Sequence, residues 1–555
     1  MDFSVLVGGE AGQGMDTFAH LLEKTLTRCG FYVFSHSDYM SRVRGGHNFI
    51  QIRFSDRPIY TYNLKVDIVF ALNEETVNLH NDKLNNEGII ISDKGIAKDK
   101  DIIHLPLIEL AKKLKNSRVY PTVGLGAILK YFGLPRDVSK GVIKEEFSDR
   151  IAEVNMGALD MGYDLLEQRY NLQSTEGENI LINGNQAVGL GAIAAGCKFY
   201  CGYPMTPSTG VLNFIAANAD EMGIAVDQVE DEVAALNMAL GASYAGVRAM
   251  TGSSGGGFAL MVEALSLAGM IEVPIVLINV QRPGPATGFP TRTEQSDLRF
   301  MIHAGHGEFP RMIMALRDTE DAFYQTVRAF NLSEKYQIPV LLVSDQYLAD
   351  CMTTKPSFDF SKIEIKRYLV EAKDITGEEY KRYKYTDDGI SPRLIPGKVP
   401  GQVVLVDSDE HDQWGHITES GEIRIKMVDK RMKKFGLLKD EVEEPWLIGD
   451  EKPKNLVVCW GSTYGAVKEA VDRLNEEGIS VGALVFGDIW PFPTKRLFEM
   501  NNFVERIIDV EQNATAQLDS LIREEALIKC SDKILKYDGR PFSGDELYNR
   551  LKEVL

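Results

Sequence analysis

Apolar residues along this chain recur in short runs with strand character, separated by longer amphipathic or small-residue stretches. The opening FSVLVGG predicts a strand, followed by a glycine turn and the helix MDTFAHLLEKTLTRCG. NFIQIRF, VDIVFAL and GIIISD predict further strands with helical stretches between them, so residues 1–170 are expected to form a mostly parallel α/β domain. The polar EQRYNLQSTEGEN at 167–179 reads as a linker. A second α/β unit is expected over 180–375, with strands at FYCGYP, RAMTGSS, VPIVLINV and IPVLLVS. The Gly-rich apolar run AVGLGAIAAG leading into FYCGYP reads as part of that buried strand, and VPIVLINV suits a strand covered on both faces. Helices are expected at GVLNFIAANADEM, EVAALNMALGASYAG and GFALMVEALSLAGM. Residues 376–453 are charged and punctuated by Gly and Pro, as in a loop-rich connecting region. A strand-helix-strand pattern restarts with NLVVCWGS, TYGAVKEAVDRLNEEG and ISVGALVFG, giving a third unit over 454–555. The fold class is α/β, in three layered α/β domains.

Composition narrows the function. At 44% hydrophobic and 25% charged, the 555 residues are those of an ordinary globular protein with large cores. The net charge of -19 gives a nucleic acid or an anionic membrane no electrostatic support as partner. No apolar run approaches the roughly 20 residues of a membrane span. The start, MDFSVLVGGEAGQGMD, has an acid where a signal peptide carries positive charge, so a cytoplasmic protein is expected. The six cysteines form no CxxC spacing, and the nine histidines no HExxH pattern. Neither a metal site nor an iron–sulfur cluster is therefore expected on this chain.

Four stretches concentrate candidate chemistry. CGYPMTPSTG, 201–210, puts hydroxyls and an aromatic ring on a loop stiffened by Pro204 and Pro207. Ser208 or Thr209 could simply cap the following helix. VEDEVAALNMALGASYAG sets Glu230, Asp231 and Glu232 at the start of a helix whose small residues leave one face nearly bare. Acids there complement the helix dipole, but one of them could also exchange a proton with a flat ligand lying on that face. TGSSGGG (251–257) and QRPGPATGFPTRTEQSD (281–297) both follow strands, where open α/β sheets bind ligands. Arg282 is the first charge after the apolar VPIVLINV, and an anion is at least as good a partner for it as a surface carboxylate. Near the N-terminus, GGEAGQG opens a helix without GxGxxG spacing, and a tight turn and an anion site are equally good readings. SRVRGGHN brings Arg42, Arg44 and His47 around two glycines, either as an anion-binding loop or as a solvated turn.

Taken in order, YPMTPST, EDEVAALNMALGASYAG, TGSSGGG and QRPGPATGFPTRTEQSDL resemble the α subunit of the 2-oxoacid:ferredoxin oxidoreductases. GGEAGQG with VRGGHN resembles that family's γ domain, here fused in front of α, and GISPRLIPG, SDEHDQWGHITE and VEQNATAQL are similar to further family segments. The resemblance spans nearly the whole chain and is nearest to the two-subunit members, in which γα pairs with a smaller β subunit.

The resemblance implies CoA-dependent oxidative decarboxylation of a 2-oxoacid on thiamine diphosphate, with electrons passing singly to ferredoxin. It implies a γ-like domain at 1–170, a pyrimidine-binding fold at 180–375 and a transketolase C-terminal-like domain at 454–555. Glu232 would bond the pyrimidine N1′, and Thr206, on a loop that reaches over the reacting carbon, would hydrogen-bond the substrate's carboxylate or carbonyl. Arg282 would pair with the substrate carboxylate. Tyr203, Pro204, Ser253, Ser254 and Gly255 would line the cofactor, and Arg44 would meet coenzyme A phosphates. No GDG motif and no clustered cysteines occur in this chain. A β subunit is therefore expected to bring the diphosphate site, its Mg2+ and the iron–sulfur cluster, in an (αβ)2 assembly. The fused architecture favours 2-oxoglutarate; pyruvate and branched-chain acids stay open. So do a non-oxidative thiamine-dependent decarboxylase subunit and a nucleotide-binding scaffold without catalysis.

Overall fold

Three sheets organise the described residues of the computed structural model, which are 1–40, 46–96, 102–174, 178–375 and 379–555. The chain divides into two units, the first comprising Met1–Asn183, Asp350–Phe358 and Ser543–Leu547. Its sheet runs, edge to edge, Ile102–Leu105, Leu84–Asp93, Val66–Ala71, Asp2–Gly9, Asn48–Ser55, Tyr32–Asp38, Met352–Lys355, Ile180–Ile182. The first four strands are parallel, as the alternating pattern predicts. The other four pair antiparallel, so the sheet is mixed rather than mostly parallel. Only nine residues separate Tyr32–Asp38 from Asn48–Ser55, fewer than a parallel crossover needs, so the pair runs antiparallel. Helices Tyr120–Phe132 and Asp149–Tyr163 approach closely because Gly126 and Gly162 face backbone, where a Cβ would overlap the opposite helix.

The second unit comprises Gly184–Ala349, Asp359–Phe542 and Tyr548–Leu555. Its larger sheet has the order Asp488–Trp490, Met312–Ala315, Pro339–Asp345, Ile275–Gln281, Arg248–Ser253, Cys197–Gly202, Ala225–Gln228. All pairs are parallel except the edge strand Asp488–Trp490. A second sheet orders Trp446–Gly449, Val481–Phe486, Asn455–Trp460, Arg506–Glu511, Asp532–Leu535. One apolar core, which includes Leu277, Trp460 and Phe486, joins the two sheets.

Two expectations change here. AVGLGAIAAG is not strand: Gly184–Ala194 is a helix. Apolar runs of this length carry no decisive periodicity, and the glycines serve close packing. A Cβ on Gly191 would overlap the Phe323 carbonyl, and one on Gly189 the Phe214 ring. The stretch expected as connecting loops contains an 18-residue helix, Gly421–Leu438. Its Lys430 and Lys434 are buried on Glu272, which ends helix Gly255–Ile271 at φ 50°. Lys430 Nζ donates to both carboxylate oxygens at 2.7 and 2.9 Å, and Arg382 donates to the Glu272 carbonyl. Burial pushes the Lys430 ammonium down to about 7 despite the pull of Glu272. Burial opposes ionisation of Glu272 as well, yet the two lysines hold its carboxyl well below the usual range.

Removing one member of such a cluster strands the others without a counter-charge. Glu272→Gln is expected to destabilise the protein by about 3–5 kcal/mol in equilibrium urea unfolding. A loss under about 1 kcal/mol would mean that the lysines find solvent or other partners.

Candidate functional site

In a parallel sheet all carboxyl ends lie on one edge, and register decides which loops meet there. Ser253 pairs with Asn279, Gly252 with Ile278, and Tyr200 with Met250. The strands Cys197–Gly202, Arg248–Ser253 and Ile275–Gln281 thus deliver the Tyr203–Ser208 loop, Ser253–Ser254 and Arg282 side by side.

The loop is tied down from two directions. Arg282 Nη1 donates to the Thr206 carbonyl at 2.6 Å, so two of the residues singled out in the sequence are in direct contact. Arg282 is half-buried, and burial moves its pKa down from the ordinary guanidinium value. Ser208 does not cap the next helix; its hydroxyl donates to the Met205 carbonyl at 3.0 Å and tightens the turn. Tyr203 projects outward at 39% exposure, with Pro204 half-buried beside it.

The three acids of VEDE separate by role. Glu230 is exposed. Asp231 is the N-cap of helix Glu232–Tyr244, accepting from Ala234 N at 2.7 Å. The dipole-complementing role therefore belongs to Asp231. Glu232 turns inward and is 2% exposed. Ser253 donates to its Oε1 at 3.1 Å, while Oε2 receives no hydrogen bond from any described residue. Gly257 makes the arrangement possible, since a Cβ there would overlap both Ser253 Oγ and Glu232 Oε1. Ser253 Oγ also lies 3.6 Å from Met205 Sδ, which links the carboxylate to the Thr206 loop. A buried carboxylate with one oxygen anchored and the other unpartnered suits a ligand that brings its own N–H. That is the donor an aminopyrimidine ring supplies.

The floor is polar: Ser254, which the resemblance names, is joined by Thr251 and Asn279, which it does not. Ser254, at the N-cap of helix Gly255–Ile271, makes no capping bond, and its hydroxyl is buried without a partner. Thr251 Oγ1 and Asn279 Oδ1 are likewise buried and unpartnered. Asn279 Nδ2 donates to Asp297 Oδ2 at 3.0 Å, and the Asp297 carboxylate fills the space a Cβ on Gly255 would need. Burial raises the Asp297 pKa. Asn279 was the available signal: it is the single polar residue inside VPIVLINV, a run that was read as wholly apolar.

In the first unit GGEAGQG is a tight turn. Glu10 N donates to Gln13 Oε1 at 2.7 Å, Gln13 N donates to the Glu10 carbonyl, and Gly12 and Gly14 both take φ 89°. A cleft of about 560 Å³ lies against it, lined by Gly12, Gly14, Thr17, Ile108, Arg118 and Tyr120 among others. Arg42 and Arg44 lie outside the described residues. His47 is buried, its Nε2 2.7 Å from His80 Nε2, so it is part of the packing rather than a solvated turn.

Comparison with known proteins bears on the whole chain. The family model for the thiamine-diphosphate-binding part of pyruvate flavodoxin/ferredoxin oxidoreductase matches residues 190–430. The models for pyruvate ferredoxin/flavodoxin oxidoreductase and for pyruvate:ferredoxin oxidoreductase core domain II match 4–165 and 454–544. The 2-oxoacid:ferredoxin oxidoreductase subunit alpha of a Sulfolobus species is 34% identical, covering 100% of this chain and 97% of that protein. The 2-oxoglutarate synthase subunit KorA of Methanothermobacter thermautotrophicus is 31% identical over 68% of this chain and 99% of its own length. The solved 2-oxoglutarate:ferredoxin oxidoreductase from Magnetococcus marinus, with 2-oxoglutarate, coenzyme A and succinyl-CoA bound, superposes with TM-score 0.92. That similarity holds at 32% identity and covers 100% of this chain and 99% of that one. With relatives matched end to end and the strand-edge site in place, the chain belongs to the 2-oxoacid:ferredoxin oxidoreductases, as an α-type subunit.

Proposed function

We propose that this subunit supplies the pyrimidine-facing half of a thiamine-diphosphate site and that the assembled enzyme oxidises 2-oxoglutarate to an acyl-CoA and CO2, reducing ferredoxin. The observation that carries the reading is the buried Glu232 carboxylate, linked through Ser253 and the Met205–Thr206 loop to Arg282. Bound there, the cofactor supplies a nucleophilic carbon and an electron sink. The chain's own part is positional and electrostatic. Glu232 Oε2 holds and exchanges a proton at the ring nitrogen. Arg282, with one arm on Thr206 O, keeps further N–H groups for the substrate carboxylate. That same bond sets the Thr206 hydroxyl near the reacting centre.

The finer assignments rest on separate supports. 2-Oxoglutarate is favoured by the Magnetococcus enzyme, similar along the whole chain, and by the KorA relatives. A β subunit bearing the diphosphate motif, Mg2+ and cluster is favoured by the lack of GDG and of clustered cysteines here. Val233 and Met238 on one helix and Leu260 on the next are exposed at 43%, 39% and 52%, on the two helices that begin at Glu232 and Gly255. An apolar face beside a half-built site suits a partner that completes it. The cleft against GGEAGQG, with Arg118 and an uncapped helix start, suits the phosphates of coenzyme A. The 1–170, 180–375 and 454–555 segments are taken as γ-like, pyrimidine-binding and transketolase C-terminal-like domains.

Three outcomes are expected of the co-expressed complex. Glu232→Gln lowers turnover by at least ~100-fold while the exposed Glu230→Gln changes it little; equal effects would reduce both acids to helix electrostatics. Arg282→Lys lowers kcat/KM for the 2-oxoacid by the equivalent of roughly 1.5–3 kcal/mol, because lysine cannot hold the loop carbonyl and a carboxylate with one rigid fork. Unchanged kcat/KM for 2-oxoglutarate, pyruvate and a branched-chain acid alike would make Arg282 structural. Leu260→Asp leaves the chain folded by circular dichroism but prevents co-purification of the β subunit, and normal assembly would place the partner elsewhere.

A further inference from the structure

The resemblance sets Ser253 along the cofactor; in the structure its hydroxyl bonds Glu232. Ser253 is the last residue of the strand Arg248–Ser253, 1% exposed, and its Oγ donates to Glu232 Oε1. The Ser253 hydroxyl also lies 3.6 Å from Met205 Sδ, a weak acceptor. Strand pairing fixes Ser253 directly through Asn279, and the other side of the same strand is paired three residues earlier, at Met250 with Tyr200. The hydroxyl is therefore held on a rigid element and aimed at one atom of one carboxylate.

We infer that Ser253 is a positioning residue for Glu232: it occupies Oε1, fixes the plane of the carboxylate and leaves Oε2 as the atom that meets the cofactor nitrogen. This rests on the assignment of Glu232 above. A glutamate has three rotatable side-chain bonds, and at the first residue of a helix it has no preceding helical turn to pack on. Its neighbour Asp231 turns outward to cap the helix, so the same stretch of backbone offers an acid an alternative engagement. A donor on a strand is what selects the inward arrangement. Gly257 belongs to the same device, because any side chain there would displace the pair. A hydroxyl is required at position 253, while its extra bulk is not: threonine keeps the donor, and alanine removes it.

The test uses the complex of this chain with its β subunit, with four variants: S253A, S253T, E232Q and the double variant S253A/E232Q. S253A is expected to lower kcat roughly 10-fold or more with less than about a threefold change in KM for the 2-oxoacid. It should also alter the near-ultraviolet circular dichroism of bound thiamine diphosphate, which reports the state of the aminopyrimidine ring. S253T should restore both. In the E232Q background S253A should have no further effect, because its action passes through the carboxylate. Additive losses in the double variant, or a cofactor spectrum unchanged in S253A, would overturn the inference and leave Ser253 a packing residue. If E232Q itself retains full turnover, it is the assignment of Glu232 that fails, and the two failures are distinct.

Discussion

The register of one parallel sheet is the constraint on which the site depends. Tyr200, Met250 and Val276 stand in line across three strands, so the residues that follow those strands leave the sheet at the same edge. Thr206 and Arg282 are far apart in sequence and meet at this edge, with Ser253 at the end of the strand between theirs. A slip of one residue in the middle strand would turn Ser253 away from Glu232 and point its neighbour there instead. The geometry of the candidate site is thus inherited from backbone hydrogen bonds between strands.

Helix Gly255–Ile271 carries this constraint away from the edge. It begins at the site, where Gly255 makes room for Asp297 and Gly257 for the Ser253–Glu232 pair. It ends at Glu272, clamped by Lys430 and Lys434 from a helix some 160 residues later. A buried carboxylate shared by two lysines and backed by Arg382 is costly to desolvate, and any shift of the helix would leave its members unpaired. That clamp fixes the far end of the element whose near end shapes the site. The charged stretch that reads as a connector is in this sense part of the framework of the candidate site.

Much of this was legible in the sequence because glycines, prolines and isolated charges at strand ends have few uses. Arg282 after VPIVLINV and the prolines around Thr206 signalled the loops correctly, and the order of motifs carried the family. What stayed hidden depended on which way side chains turn. The resemblance singles out Glu232 among three consecutive acids but not how each one turns: Asp231 caps a helix, Glu230 is solvated and Glu232 is buried. Helix Gly184–Ala194 was hidden because small apolar residues fit a buried strand and a tightly packed helix equally well. Asn279 was visible but overlooked inside an apolar run. The Asp297 contact with it joins a strand to a residue 18 positions later that precedes the helix Leu298–His303, and no local pattern announces it.

The central claim is that Glu232 presents one carboxylate oxygen to the pyrimidine ring of thiamine diphosphate while Ser253 holds the other. The most direct measurement is the structure of the complex of this chain and its β subunit with thiamine diphosphate bound. The account predicts a Glu232 oxygen within about 2.6–3.2 Å of the ring nitrogen N1′, with Ser253 still on the second oxygen. A cofactor whose pyrimidine ring contacts a different acid, or none, would contradict it.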